Sequence, residues 1–184
     1  MKIIKSILSF IWEISKIVII ALLIVIPIRY FVFQPFFVNG QSMEPNFQNG
    51  DYLIVDEISY RFLEPKRGEV IVFKYPNNPS QRYIKRIVGL PGETVEVKEG
   101  KVMILADEQK WLLNESIYLS QSIQTPGEVI ISLGEDEYFV LGDNRIASFD
   151  SRKWGPLPEE DIIGRVIFRA WPMSALANIE APAY

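Results

Sequence analysis

The 184 residues predict a mainly β fold, an antiparallel β-sandwich or barrel-like domain preceded by one N-terminal transmembrane helix. Three observations carry that reading. A long apolar run occupies the N-terminus and is not repeated elsewhere. From Gln34 onward the helical period disappears, and short β-branched and aromatic runs alternate with turn residues. Finally, the runs follow one another without the helical segments that βαβ units would interpose.

The N-terminal run comes first. Residues 17–28 are unbroken apolar sequence, Arg29 interrupts, and 30–33 extend it. A spanning helix needs roughly 20 mostly apolar residues. The stretch 12–33 supplies them if Lys16 and Arg29 snorkel toward the two surfaces. A cleaved signal peptide and a buried core helix are competing readings. Against cleavage, no pair of small residues follows the run. Lys2, Lys5 and Lys16 precede it, so the positive-inside rule leaves the N-terminus in the cytoplasm. The expected organisation is therefore 1–33 as cytoplasmic N-terminus and anchor, with 34–184 as an extracytoplasmic β-rich domain. The expected location is the plasma membrane, crossed once.

The strands follow. Residues 51–59, 69–75, 82–89, 94–97, 102–105, 129–132, 137–141 and 162–171 each read as strands. Asn49-Gly50, Pro91-Gly92, Glu99-Gly100 and Pro126-Gly127 punctuate them. Between Asp107 and Thr125 the pattern is weak, and a polar loop is expected.

Composition narrows the chemistry. The net charge is −4, and scattered basic residues give no nucleic-acid surface. The chain has no cysteine and no histidine. Thiolate catalysis, a Ser-His-Asp triad and His- or Cys-ligated zinc are all excluded. A hydrolytic site here needs another base, and lysine serves once desolvation lowers its pKa.

Three segments could hold such a site. The first contains Ser42, between Gly40 and Pro45 in a tight loop that could present a hydroxyl and aim backbone N–H groups at an oxyanion. A serine in such a loop is also an ordinary turn former. The second is the strand at 82–89, where alternation puts Tyr83, Lys85 and Ile87 on one face. Apolar neighbours would strip Lys85 of hydration and disfavour its ammonium form. An edge lysine that discourages aggregation is the bland alternative. The third segment, 142–152, gathers carboxylates, guanidiniums, an amide and hydroxyls just after a strand. That density suits either an ion-pair network or a solvated turn.

Taken in order, these segments resemble the type I signal peptidases, membrane-bound enzymes that remove signal peptides from exported proteins. The resemblance runs from the N-terminal anchor through the serine box at 40–45 and Asn49-Gly50-Asp51. It continues with the lysine box from Lys85-Arg86 to Pro91-Gly92, then Gly142-Asp143-Asn144-Arg145, Ser148 and Asp150-Ser151-Arg152. Trp154-Gly155-Pro156 and 162–165 complete it. The resemblance implies a Ser-Lys dyad of Ser42 and Lys85. Ser148 would orient the lysine, and Asp150 would fix its loop by ion pairing with Arg152 and Arg86. It implies cleavage after small-x-small motifs such as Ala-x-Ala, with Val38, Met43, Phe47, Tyr83 and Ile84 as candidate pocket residues. Preprotein signal peptides, the lipid bilayer and the secretion machinery are the implied partners, without cofactor or metal. Two positions depart from the family pattern: Gly40 offers no hydroxyl to an oxyanion hole, and Asn46 replaces a common threonine. Other Ser-Lys peptidases of related fold and a non-catalytic membrane-tethered β domain are the alternative readings.

Overall fold

The computed structural model describes residues 2–31, 33–107 and 109–182. Within the N-terminal helix it describes the side chains of 10–23 and Val25.

That helix, α1, runs Lys2–Phe31. Its described side chains are exposed almost all round, which excludes the buried core helix. Among the described residues, however, no helix is long and apolar enough to cross a membrane. The contiguous described stretch, 10–23, falls short of the roughly 20 residues a span requires, and it carries Glu13 and Lys16. The expected transmembrane helix is corrected on this finding. The single-pass topology and the plasma-membrane location rested on that helix and are corrected with it.

The rest is two antiparallel sheets. Their strands are β1 (Phe33–Phe37), β2 (Tyr52–Asp56), β3 (Val70–Tyr75), β4 (Asn78–Gly89), β5 (Thr94–Lys98) and β6 (Lys101–Ala106). Next come β7 (Gln109–Leu112), β8 (Val129–Ser132), β9 (Glu137–Leu141), β10 (Leu157–Pro158), β11 (Ile162–Trp171) and β12 (Ala177–Asn178). The larger sheet has the order β1-β2-β11-β3-β4-β9-β10, with β12 added to β11. The smaller has the order β7-β6-β5-β8. All eight expected strands are present. Strand β7 falls inside the expected loop, because its four residues are all exposed and show no apolar alternation to detect.

The core divides into three clusters, and β4 touches all of them. Ile84 packs with Val38, Met43, Phe47, Leu53 and Val72. Val88 joins Val95, Ile104, Phe139 and Leu141 beside the smaller sheet. Ile87 lies with Ile71, Phe73, Tyr138 and Val140 on the opposite side. Pairing on both edges, with β3 and β9, makes β4 a central strand. This is why a lysine in its middle is buried rather than guarding an edge.

Candidate active site

Four pieces of chain converge where β4 meets the loop between β1 and β2. That loop carries Ser42 and is locked at both ends. Val38 N–H donates to Asp51 O at 3.0 Å, and Gly50 N–H donates to Val38 O at 2.9 Å. Inside it, Phe47 N–H reaches Met43 O at 2.9 Å, and Gly40 N–H reaches Asn49 Oδ1 at 2.8 Å. Met43 and Phe47 are fully buried and pin the loop to the core. Ser42, immediately before Met43, stays partly accessible. Gly40 has φ +97° with open space around its Cβ position. Backbone conformation, rather than crowding, therefore favours glycine there.

Lys85 enters from β4. Its Nζ lies 2.7 Å from Ser42 Oγ and donates to Ile84 O at 2.8 Å. The residue is 4% exposed, with Nζ 5.6 Å from the centre of the Tyr83 ring. Burial pushes its pKa down from 10.5 to about 8, against the opposing pull of the Asp150 and Asp143 carboxylates. At that value about a tenth of the amine is neutral at pH 7, and the neutral form becomes the major one above pH 8. A neutral amine has two N–H groups and one lone pair, so it can donate to Ile84 O while accepting from a serine hydroxyl.

The third piece follows β9. Gly142 sits so close to the serine loop that a Cβ on it would lie 2.4 Å from Ser42 O and 2.2 Å from Ser148 Oγ. Asn144 N–H donates to Ser42 O at 3.0 Å, which ties the nucleophile's own carbonyl to this loop. Asp143 is wholly buried and accepts two bonds from Arg86, at 2.8 and 2.6 Å. Arg86 also donates to Gly68 O at 2.8 Å. Arg145 reaches Gly142 O at 3.0 Å and pairs with Glu115.

The fourth is the short helix α2 (Ser151–Trp154). Asp150 caps it, accepting from Arg152 N–H at 3.3 Å. The same carboxylate takes two bonds from the Arg152 guanidinium, both at 2.8 Å, and one from Gly142 N–H at 3.1 Å. A carboxylate with this many donors is held in place.

The outcome for the sequence candidates is mixed. Ser42 and Lys85 meet, and Asp150 pairs with Arg152. Arg86 instead goes to Asp143, because it lies on the opposite face of β4 from Lys85. Ser148 Oγ is buried and has no hydrogen-bond partner among the described residues; it abuts Gly142 rather than Lys85 Nζ. Val38, Met43, Phe47 and Ile84 are core residues, so any part they take in a pocket is as its floor. Tyr83 is half-buried and stacks on Tyr75 at 5.1 Å. Sequence reasoning did not identify the bonds of Asn46, the anchoring role of Asp143, or the Glu115–Arg145 pair. Only the departure at Asn46 gave a signal.

The family model described as "Signal peptidase, peptidase S26" matches residues 11–171. The chain belongs to that family. It is 38% identical over 88% of its length to a probable signal peptidase I-2 of Synechocystis sp., covering 73% of that protein. To the signal peptidase I of Leptolyngbya laminosa it is 37% identical, over 89% of this chain and 81% of that one. A crystal structure of an Enterococcus faecalis signal peptidase I aligns with a TM-score of 0.46 at 31% identity, over 56% of this chain and 97% of the other. As a signal peptidase of this family the chain is a serine endopeptidase of the secretory kind, and membership implies signal peptides as partners in a membrane context.

Proposed function

We propose that this signal peptidase cleaves preproteins after a small-x-small motif, typically Ala-x-Ala, by a Ser42–Lys85 dyad housed in the β body from Gln34 onward. The 2.7 Å separation of Lys85 Nζ and Ser42 Oγ, with the lysine desolvated, carries the proposal. Neutral Lys85 takes the hydroxyl proton as Ser42 Oγ attacks the scissile carbonyl carbon. The resulting ammonium gives that proton to the leaving amine as the C–N bond breaks. Water then attacks the acyl-enzyme with Lys85 again as base.

The developing oxyanion needs donors. The Ser42 N–H is the candidate, since it has no acceptor among the described residues. Gly40 adds no side-chain donor. Val38, Met43, Phe47 and Ile84 form an apolar floor and Tyr83 an accessible rim, which together suit an alanine side chain better than a large one. Asp150, Arg152, Asp143 and Arg86 hold the loop in shape, with Ser148 packed against it.

The test is cleavage of a preprotein by the purified full chain beside Ser42→Ala and Lys85→Ala. Each substitution is expected to cost on the order of 10⁴-fold in kcat. In the unaltered protein, kcat/KM should rise through pH 8 as Lys85 deprotonates. Undiminished cutting by either variant, or a rate that peaks in acid and vanishes above neutrality, would sink the dyad.

A further inference from the structure

Asn46 lies four positions beyond Ser42, outside the dyad, yet it makes three contacts that no turn requires. Its Nδ2 donates to Asp143 Oδ2 at 2.8 Å and to Tyr118 O at 2.9 Å. Its own carbonyl accepts from Arg169 Nη2. Asp143 Oδ2 is the same oxygen that receives Arg86 Nη2 at 2.6 Å. Arg86 is covalently next to Lys85. A single carboxylate oxygen thus joins the nucleophile's loop, through Asn46, to the strand that carries the base. Within the same loop, Asp51 pairs with Arg169 at 3.3 Å, and the Arg169 guanidinium sits 5.1 Å from the centre of the Phe47 ring. The loop is therefore tied from two sides, with Asn46 as the common point.

We propose that Asn46 is a positioning residue that sets the Ser42–Lys85 distance by tethering the nucleophile loop to the Asp143–Arg86 pair. The inference rests on the dyad reading above. Its physical content is that a proton transfer across 2.7 Å tolerates little slack. Among the described residues, nothing bonded to Ser42 Oγ other than Lys85 Nζ fixes that distance directly. An amide suits the position because it presents two N–H groups, one for the carboxylate and one for Tyr118 O, and carries no charge of its own. A threonine could satisfy only one of these acceptors.

The closing experiment compares Asn46→Ala, Asn46→Thr and Asn46→Asp with Ser42→Ala, Lys85→Ala and the unaltered full chain on one Ala-x-Ala peptide. It reads kcat, KM, the pH profile of kcat/KM and thermal stability. For Asn46→Ala the expected result is a kcat loss on the order of tenfold to a hundredfold with KM within about threefold. Asn46→Thr should recover part of that loss. Asn46→Asp adds a carboxylate against Asp143, favours the Lys85 ammonium and should move the acid limb of the profile to higher pH.

An unchanged kcat in Asn46→Ala overturns the tether. So does a loss fully accounted for by the fraction of unfolded protein. If Asn46→Ala does not fold, Asn46→Thr decides: a kcat loss with KM unchanged in folded protein supports the proposal, and an unchanged kcat overturns it. Should Ser42→Ala or Lys85→Ala stay active, the dyad reading itself has failed, an outcome these arms distinguish from failure of the tether alone.

Discussion

Lys85 is a charged side chain type at a position that would suit methionine. Its ordinary pKa of 10.5 is lowered to about 8 by burial, so folding disfavours the proton that the unfolded chain would hold. The sign follows directly. Between about pH 8 and 10.5 the unfolded state binds more protons at this residue, so stability rises with pH across that window. Below pH 8 both states carry the charge, and the folded state bears the full cost of burying it. That cost is on the order of 3 kcal/mol. Lys85→Met should remove it while abolishing the base. The expected outcome is a variant without activity whose midpoint in urea lies above that of the unaltered protein at pH 7. The difference should narrow as the pH approaches 10.5. A midpoint that does not rise at pH 7 would mean that the Ser42 and Ile84 hydrogen bonds already compensate the buried amine.

The dyad depends on which element lies beside which, and Gly142 marks the closest approach. It follows β9, the partner of β4, and leaves no room for a methyl group against Ser42 O and Ser148 Oγ. Because one of those atoms is backbone, Gly142→Ala cannot be relieved by a rotamer change; the serine loop must move. Overpacking of this kind costs about 1–3 kcal/mol. Displacement of Ser42 should lower kcat on the order of 10²-fold, measurable as a kcat loss larger than the change in KM. The element scale is also where the sequence was most legible. Alternation put Tyr83, Lys85 and Ile87 on one face of β4, and the structure has Tyr83 and Ile87 packed on the same cluster. Strands with a buried face, such as β5 and β6, were readable for the same reason. Strand β7 was not, being wholly exposed. Nor were the two-residue strands β10 and β12, which are too short to show a period. Partner choice is less legible still. That Arg86 takes Asp143 rather than Asp150 depends on its face of β4 and on the path of the 142–152 loop, and local pattern does not encode that path.

Across the whole molecule, the site is fastened to the segment that follows the smaller sheet's last hairpin. Arg145, 1% exposed, extends from the 142–152 loop to Glu115, with one bond at 2.8 Å, and to Thr125 Oγ1. It keeps its charge because the hydrogen bonds and charge of Glu115 outweigh the burial that opposes it. Its backbone carbonyl in turn receives Arg152 Nη2 at 2.8 Å, so the pair Glu115–Arg145 backs the pair Asp150–Arg152. The residues between Asp107 and Thr125, expected to be a polar loop, therefore brace the loop that positions Asp143 and Gly142. Removing one partner of a buried pair leaves the other charge unpaired, at a cost of about 3–5 kcal/mol. Glu115 is slightly more accessible than Arg145, which places its loss at the lower end. Glu115→Ala should thus destabilise the protein by about 3 kcal/mol in urea titration. Arg145→Met with Glu115→Leu, replacing both charges by apolar groups, should recover much of that stability. If the double variant regains stability without regaining kcat, the pair's contribution to activity is the shape it gives the 142–152 loop. If kcat returns in step with stability, Glu115 and Arg145 serve the fold alone.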